Sequence, residues 1–420
     1  MKRYSEYKDS GVKWIGEIPE HWKIMRLRAY LSMYSEKNHP DKQLLSVTRE
    51  SGVIVRNTES KEENHNYIPD DLSGYKLVRI GDFAINKMKS WQGSYGVSNF
   101  EGIVSPAYYV CKLKFPYKDF FSNAIRCKAY IPFFTQYSKG IRVDQWDLSP
   151  IALKNIPFFE PPLPEQQAIV TYLDTKVAKI DEYISIAEKK IAALEELKQT
   201  IIAEAVTRGI HKEVPMKDSG VFWQPQIPKS WSVTLIKHIL YKMKRSRPIN
   251  AEILICSNKG TVFKRGESKT GLISDDESIY QGVKSGDLLI HGMDTWHGAI
   301  AISNYNGMCT PVVHVCESTQ NKAYIAYYLR NMATAKVFKL ISNGVRQNTS
   351  DFRSWDKMGN VPVCLPPLPE QQEIVTYLDS KITNINQLCQ AERSQIEKLK
   401  EYKQRLISDV VTGKVKVTND

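Results

Sequence analysis

The groups best placed to do chemistry in this 420-residue chain fall in two glycine-bounded loops. One is Asn86-Lys87-Met88-Lys89-Ser90-Trp91-Gln92-Gly93-Ser94-Tyr95-Gly96, and the other is His291-Gly292-Met293-Asp294-Thr295-Trp296-His297-Gly298. Lys87, Lys89, Gln92, Ser94, Tyr95 and His297 are candidate contacts, because such side chains can reach base edges or phosphates. The matched tryptophans, Trp91 and Trp296, read as core residues, with contact as the alternative. Arg142 and Arg346 share a Ser-x-Gly-x-Arg setting, and Gln347 follows the second. A fork of donors beside a glycine suits a phosphate or a guanine, although an arginine bonding nearby carbonyls fits the same pattern. Lys242, Lys244, Arg245 and Arg247 form a further basic stretch, aligned with Ser32, Tyr34, Ser35 and Lys37 in the first half.

Catalytic and metal chemistry is poorly supported. His291, His297, Cys309, His314 and Cys316 have ligand types, yet the residues at 86, 92, 104 and 109 in the first half are Asn, Gln, Val and Tyr, so no metal is expected. Pro40-Asp41 with Glu59-Ser60-Lys61 makes a loose nuclease-like spacing with no counterpart in the second half. An N/D-P-P-Y/F motif for a flipped base, a glycine-rich cofactor loop and a P-loop are all missing. No catalytic residues are expected, and any chemistry must be supplied in trans. The 7 cysteines (111, 127, 256, 309, 316, 364 and 389) contain no C-x-x-C pair and are expected to be thiols.

The loops acquire meaning from an internal repeat. Pro161-Pro162-Leu163-Pro164-Glu165-Gln166-Gln167 returns as Pro366-Pro367-Leu368-Pro369-Glu370-Gln371-Gln372, and Ile169-Val170-Thr171-Tyr172-Leu173-Asp174 as Ile374-Val375-Thr376-Tyr377-Leu378-Asp379. Lys8-Asp9-Ser10-Gly11-Val12, Trp14, Ile18-Pro19 and Trp22 return as Lys217-Asp218-Ser219-Gly220-Val221, Trp223, Ile227-Pro228 and Trp231. One fold is therefore expected twice.

Each Pro-Pro-Leu-Pro-Glu-Gln-Gln segment should open a helix, since proline is tolerated in the first turn and a glutamate there complements the dipole. From the first, Leu173, Val177, Ile180, Ile184, Ala187, Ile191, Leu194, Leu197 and Ile201 trace a coiled-coil seam. The second repeats it with Leu378, Ile382, Ile385, Cys389, Ile396, Leu399, Leu406 and Val410, interrupted by Glu392 and Lys403. Each rod spans about 65 Å at 1.5 Å per residue and needs a partner helix, which the other half supplies. Short β-branched or aromatic segments punctuated by glycine predict strands at 44–47, 54–55, 82–85, 107–110 and 287–290. Helices are expected over 125–137 and 325–340, so each globular half should be α+β.

Length favours two domains. The chain carries 58 basic and 46 acidic residues, a net charge of +12. Residues 165–208 and 370–414 together hold 13 basic and 15 acidic side chains, leaving +14 on the remainder. A polyanion should lie across the globular halves, leaving the rods for protein contacts. No apolar stretch is long enough to span a bilayer and the start lacks a signal peptide's apolar region, so a cytoplasmic protein without a membrane partner is expected.

The duplicated P-P-L-P-E-Q-Q with its long helix, the D-S-G-V-x-W…I-P…W opening and the G-I/V-R element resemble the specificity subunit of type I restriction-modification systems, over nearly the whole chain. The resemblance implies two tandem target-recognition domains, each reading half of an asymmetric bipartite site in double-stranded DNA. It also implies two long helices packed as an antiparallel coiled coil that sets the spacer and docks two modification (methyltransferase) subunits. S-adenosylmethionine would then belong to those subunits, and ATP and magnesium to the motor-nuclease restriction subunits, with no cofactor on this chain. The domains would be 1–160 and 220–365, the spacer helices 161–208 and 366–412, the linker 209–219 and the tail 413–420. The competing reading is an assembly scaffold without sequence-selective readout.

Overall fold

The computed structural model describes residues 2–58, 68–140, 146–211, 213–266, 277–342 and 352–418. The chain forms two compact units, Met1–Ala187 with Arg393–Asp420, and Glu188–Glu392. Each takes its globular half together with part of each long helix.

In the first unit an antiparallel four-stranded sheet runs Leu31–Tyr34, Tyr108–Leu113, Phe83–Asn86, Tyr95–Val97. Around it, among the described residues, lie five two-stranded pairs: Tyr7–Asp9 with Glu17–Pro19, Lys23–Arg26 with Pro157–Glu160, Leu45–Thr48 with Gly52–Val55, Lys76–Val78 with Gly102–Val104, and Ser138–Lys139 with Asp147–Leu148. Helices Lys118–Arg126, Ile131–Tyr137 and Pro150–Asn155 cover the sheet. The helix expected over 125–137 is split, because Cys127 is extended (ψ 152°) and Pro132 sits in the first turn of a new helix, where it fits.

The second unit reproduces this arrangement. Its sheet runs Leu240–Lys242, Val313–Ser318, Leu288–His291, Ile300–Ile302, and its pairs join Met216–Asp218 to Gln226–Pro228, Ser232–Leu235 to Pro362–Leu365, Leu254–Cys256 to Val262–Lys264, and Gln281–Val283 to Gly307–Cys309. Helix Lys322–Thr334 stops before Lys336, whose φ of 60° begins the separate turn Val337–Ile341.

The long helices are Leu163–Arg208 and Leu368–Val411, with Pro164 and Pro369 at their second positions. The repeated motif explains how each is anchored. Buried Gln166 donates to the Pro161 carbonyl at 2.8 Å, and Gln371 to the Pro366 carbonyl at 2.9 Å, tying the helix start to the strand before it. Glu165 accepts from Tyr4 Oη and lies 2.8 Å from His21 Nε2, while Glu370 accepts from Trp231 Nε1 at 2.9 Å. Both carboxylates thus face the helix N-terminus and hold the opening hairpin of their own unit.

Within each unit the two helices share the globular core. Leu173, Ile180, Leu406 and Val410 join the first unit's aromatic cluster, and Ile202, Val206, Ile374 and Leu378 join the second's. In the second unit Lys198 reaches Asn386 at 3.0 Å and Lys190 pairs with Glu392, so one helix rises in number as the other falls: they run antiparallel. In the first unit Lys403 pairs with Asp181 at 2.7 Å. The two seam interruptions are therefore ion pairs. Val177, Ile184, Ile191, Leu194, Ile382 and Leu399 are half-buried and Ile385 and Ile396 buried, but Leu197 is 48% exposed. The seam passes instead through half-buried Lys198, the residue four beyond Leu194.

Among the described residues no helix is long and apolar enough to cross a membrane. All 7 cysteines are free and buried.

Candidate nucleic-acid interface

The two loops singled out in the sequence have one geometry. Strand Phe83–Asn86 runs into a 3-10 turn, Ser90–Gln92, closed by Gly93 at φ 97°; strand Leu288–His291 runs into Thr295–His297, closed by Gly298 at φ 75°. Glycine is needed at both closures because L side chains disfavour that backbone region. The same bonds recur, Gly93 N to Ser90 O at 2.9 Å and Gly298 N to Thr295 O at 3.0 Å. Trp91 is half-buried, donates to the Met88 carbonyl at 3.1 Å and packs on Trp146 with centroids 5.2 Å apart. Trp296 is half-buried against the second core. The tryptophans support the loops and leave neighbouring polar groups on the rim.

Those polar groups divide. Lys89 and His297 are exposed and Gln92 is half-buried. Lys87 is paired with Asp147 at 3.0 Å, which raises its pKa. Ser94 and Tyr95 are corrections, since they are 4% and 1% exposed. The Tyr95 ring stacks on Phe134 with centroids 3.8 Å apart, and burial pushes its phenol pKa up, so Tyr95 is a core residue. Its strand alternates faces, and the aromatic position happens to point inward.

The basic stretch also divides. Strand register pairs Lys242 with Cys316 and Met33 with Cys111, so the true counterparts of Lys242 to Arg247 lie one residue later in the first half than the sequence alignment gave. Arg245 is a correction: it forks onto Asp287, with Nη2 3.0 Å from Oδ1 and the carboxylate 2% exposed, and the pair raises the arginine's pKa. Lys242 is half-buried, while Lys244 and Arg247 are exposed. Because Cys316 pairs with both Lys242 and Leu288, Lys242 lies level with Leu288, three residues along that strand from His291. Arg142, Arg346 and Gln347 lie outside the described residues, as does Glu59-Ser60-Lys61.

Two of the ligand-type histidines of the second half, His314 and His291, make contacts within the protein. His314 is fully buried, with Nε2 2.7 Å from the Phe352 carbonyl, and burial lowers its pKa to about 4. His291 lies 3.2 Å from Asp294. Among the described residues no three His, Cys, Asp or Glu side chains are grouped to hold a metal ion.

Sequence reasoning missed what lies beside each tryptophan loop. A Cβ on Gly93 would stand 3.7 Å from Arg49 Cγ, and one on Gly298 would stand 3.8 Å from the Asn258 carbonyl. The turn of hairpin Leu45–Val55 therefore abuts the loop in the first unit, and the turn of Leu254–Lys264 does so in the second. Gly52 and Gly260, each close to the turn of its hairpin, were the available signal, but too little surrounding sequence matches to reveal it.

A duplicated α+β fold with a paired long helix in each unit and polar loops on a shared frame defines a two-domain recognition protein. Residues 242–398 match the family model described as type I restriction modification DNA specificity domain. Across 96% of this chain and 95% of its own length, the type I restriction enzyme MjaVIII specificity subunit of Methanocaldococcus jannaschii is 22% identical; a protein of the same organism named as the MjaX specificity subunit is 23% identical, covering 96% of both. The HsdS subunit of Thermoanaerobacter tengcongensis shares the fold with a TM-score of 0.51 at 18% identity, covering 97% of this chain and 100% of that one. A chain from a structure concerned with assembly and conformational transition of the type I R-M system superposes with a TM-score of 0.67 at 16% identity, covering 95% and 99%. Over nearly its whole length the chain is thus similar to type I restriction-modification specificity subunits.

Proposed function

We propose that this chain is the DNA sequence-specificity subunit of a type I restriction-modification complex, with each globular half reading one half of an asymmetric bipartite site. The observation that carries the reading is one scaffold present twice with unlike polar groups on matching loops, exposed Lys89 and half-buried Gln92 in one and half-buried Asp294 and exposed His297 in the other. A common frame gives both halves the same approach to a duplex, and different rim chemistry gives them different base preferences. The +14 excess outside the long helices supplies sequence-independent phosphate attraction, which base contacts then discriminate.

On this reading the chain is non-catalytic. Two modification subunits dock on the paired helices and bring S-adenosylmethionine for adenine methylation; restriction subunits bring ATP and magnesium. The domains divide at 1–160 and 220–365, with helices 161–208 and 366–412 as a ruler that fixes the spacer. The test is binding of the complex with its modification subunits to a pool of bipartite duplexes at two salt concentrations. Affinity should fall with added salt for every duplex while a preference among duplexes persists. An intact complex with no preference would instead mark the chain as an assembly scaffold.

A further inference from the structure

In each unit an arginine from a helix lies beneath the turn of the hairpin beside the tryptophan loop. Arg126, the last residue of helix Lys118–Arg126, donates from Nη2 to the carbonyls of Arg49 at 3.1 Å and Glu50 at 2.8 Å, and from Nη1 to the Tyr95 carbonyl. Arg330, within helix Lys322–Thr334, donates from Nη2 to the Lys259 carbonyl at 3.0 Å. Both guanidinium groups are largely desolvated, and burial lowers the pKa of each. A glycine makes the room in both cases. Gly52 has φ +70°, and a Cβ there would stand 2.8 Å from Arg126 Nη1; Gly260 has φ +73°, and a Cβ there would stand 2.1 Å from Arg330 Cζ. A glycine, an arginine and an accepted turn carbonyl are thus combined in both units, with Gly52 just after its turn and Gly260 at the end of its own.

What this combination holds is different in the two units. Between Thr48 and Gly52 the first turn carries Arg49, Glu50 and Ser51, whereas between Ser257 and Thr261 the second carries Asn258 and Lys259 ahead of Gly260. All of these side chains are exposed. Arg49 and Glu50 pair at 2.7 Å with side chains 64% and 68% exposed, and such a surface pair contributes little, so both groups can take new partners. A turn whose backbone carbonyls are pinned from below loses conformational freedom before any ligand arrives, which is the condition for selective contact.

We propose that these two hairpin turns are base-reading elements, and that Arg126 and Arg330 are the positioning residues that fix them against the tryptophan loops. The inference rests on the DNA-reading function proposed above. A two-stranded ribbon fits the major groove, and the groups presented match its donor and acceptor code. Arg49 offers a fork for guanine, Glu50 an acceptor for the cytosine amino group, and Asn258 a bidentate partner for adenine. Lys259 can reach guanine or a phosphate.

The test uses the complex with its modification subunits and measures methylation of duplex pools in which one half-site at a time is randomised. Glu50→Ala should relax preference about 10-fold at one or two positions of a single half-site and leave the other unchanged. Asn258→Ala should do the same in the other half-site only. Arg126→Lys, which keeps the charge but loses the fork, should relax the same positions as Glu50→Ala without changing the salt dependence of total binding; a merely structural role would not single out those positions. Should Arg126→Lys fail to fold, the two surface variants still decide the matter. A complex that stays selective while Glu50→Ala and Asn258→Ala leave both half-site preferences unchanged, or alter the same half-site, overturns the assignment of the turns alone. A parent complex without any half-site preference overturns the DNA reading and this assignment together.

Discussion

Arg245 and His314 occupy the places in the second unit where charge is most costly. Removing the guanidinium by Arg245→Ala strands Asp287, 2% exposed, as an unpaired buried carboxylate. That should cost about 3 kcal/mol in urea unfolding, while Lys244→Ala next door, at an exposed site, should stay within about 0.5 kcal/mol. His314 is held neutral, its pKa lowered from 6.5 to about 4 by burial. An unfolded chain takes up that proton as pH falls through about 6.5 whereas the folded one does not until about 4, so the histidine's effect is absent at neutral pH and destabilises progressively in acid. Relative to pH 7.5, urea unfolding at pH 5 should show a loss of about 2 kcal/mol from this group, and His314→Gln, which can still donate to the Phe352 carbonyl, should remove that loss. Residue type alone could not separate these cases. Arg245 looked like its exposed neighbours because nothing in the sequence says that Asp287 is beneath it, and Tyr95 looked like a contact because strand alternation leaves the inward phase undetermined. The glutamines of the repeated motif were legible as a marker of a helix start, but their bond to the preceding proline carbonyl was not.

The long helices were the most legible elements, since a repeated proline-led start followed by a sustained 3-4 apolar spacing has few other readings. Even there the seam could slip. Leu197 satisfies hydrophobicity, but the step of four from Leu194 lands on Lys198, whose stem is half-buried and whose ammonium reaches Asn386 at 3.0 Å. Geometry decided against apolarity. Leu378→Ala, at a site 0% exposed, should therefore cost about 3 kcal/mol, whereas Leu197→Ala, at a site 48% exposed, should cost less than about 0.5 kcal/mol in the same thermal or urea series. The short strands were found where β-branched and aromatic runs lay between glycines, because all are half of a buried face. The helix expected over 125–137 failed at Cys127 because an extended residue before a proline-led turn leaves no local trace beyond Pro132 itself.

For the molecule as a whole, duplication is the feature from which function follows. Two halves with matching frames predict two similar approaches to DNA, and unlike rims predict two different half-sites. If the paired helices set the spacing and the globular halves set the bases, these properties must separate on exchange. The most direct measurement is methylome sequencing of a host carrying this subunit and its modification partner, compared with a host whose subunit has residues 20–155 replaced by those of a relative with another specificity. The account predicts a new sequence in one half-site, an unchanged sequence in the other, and an unchanged number of bases between them. A spacer that changes with the exchange, or a change in both half-sites, would contradict it.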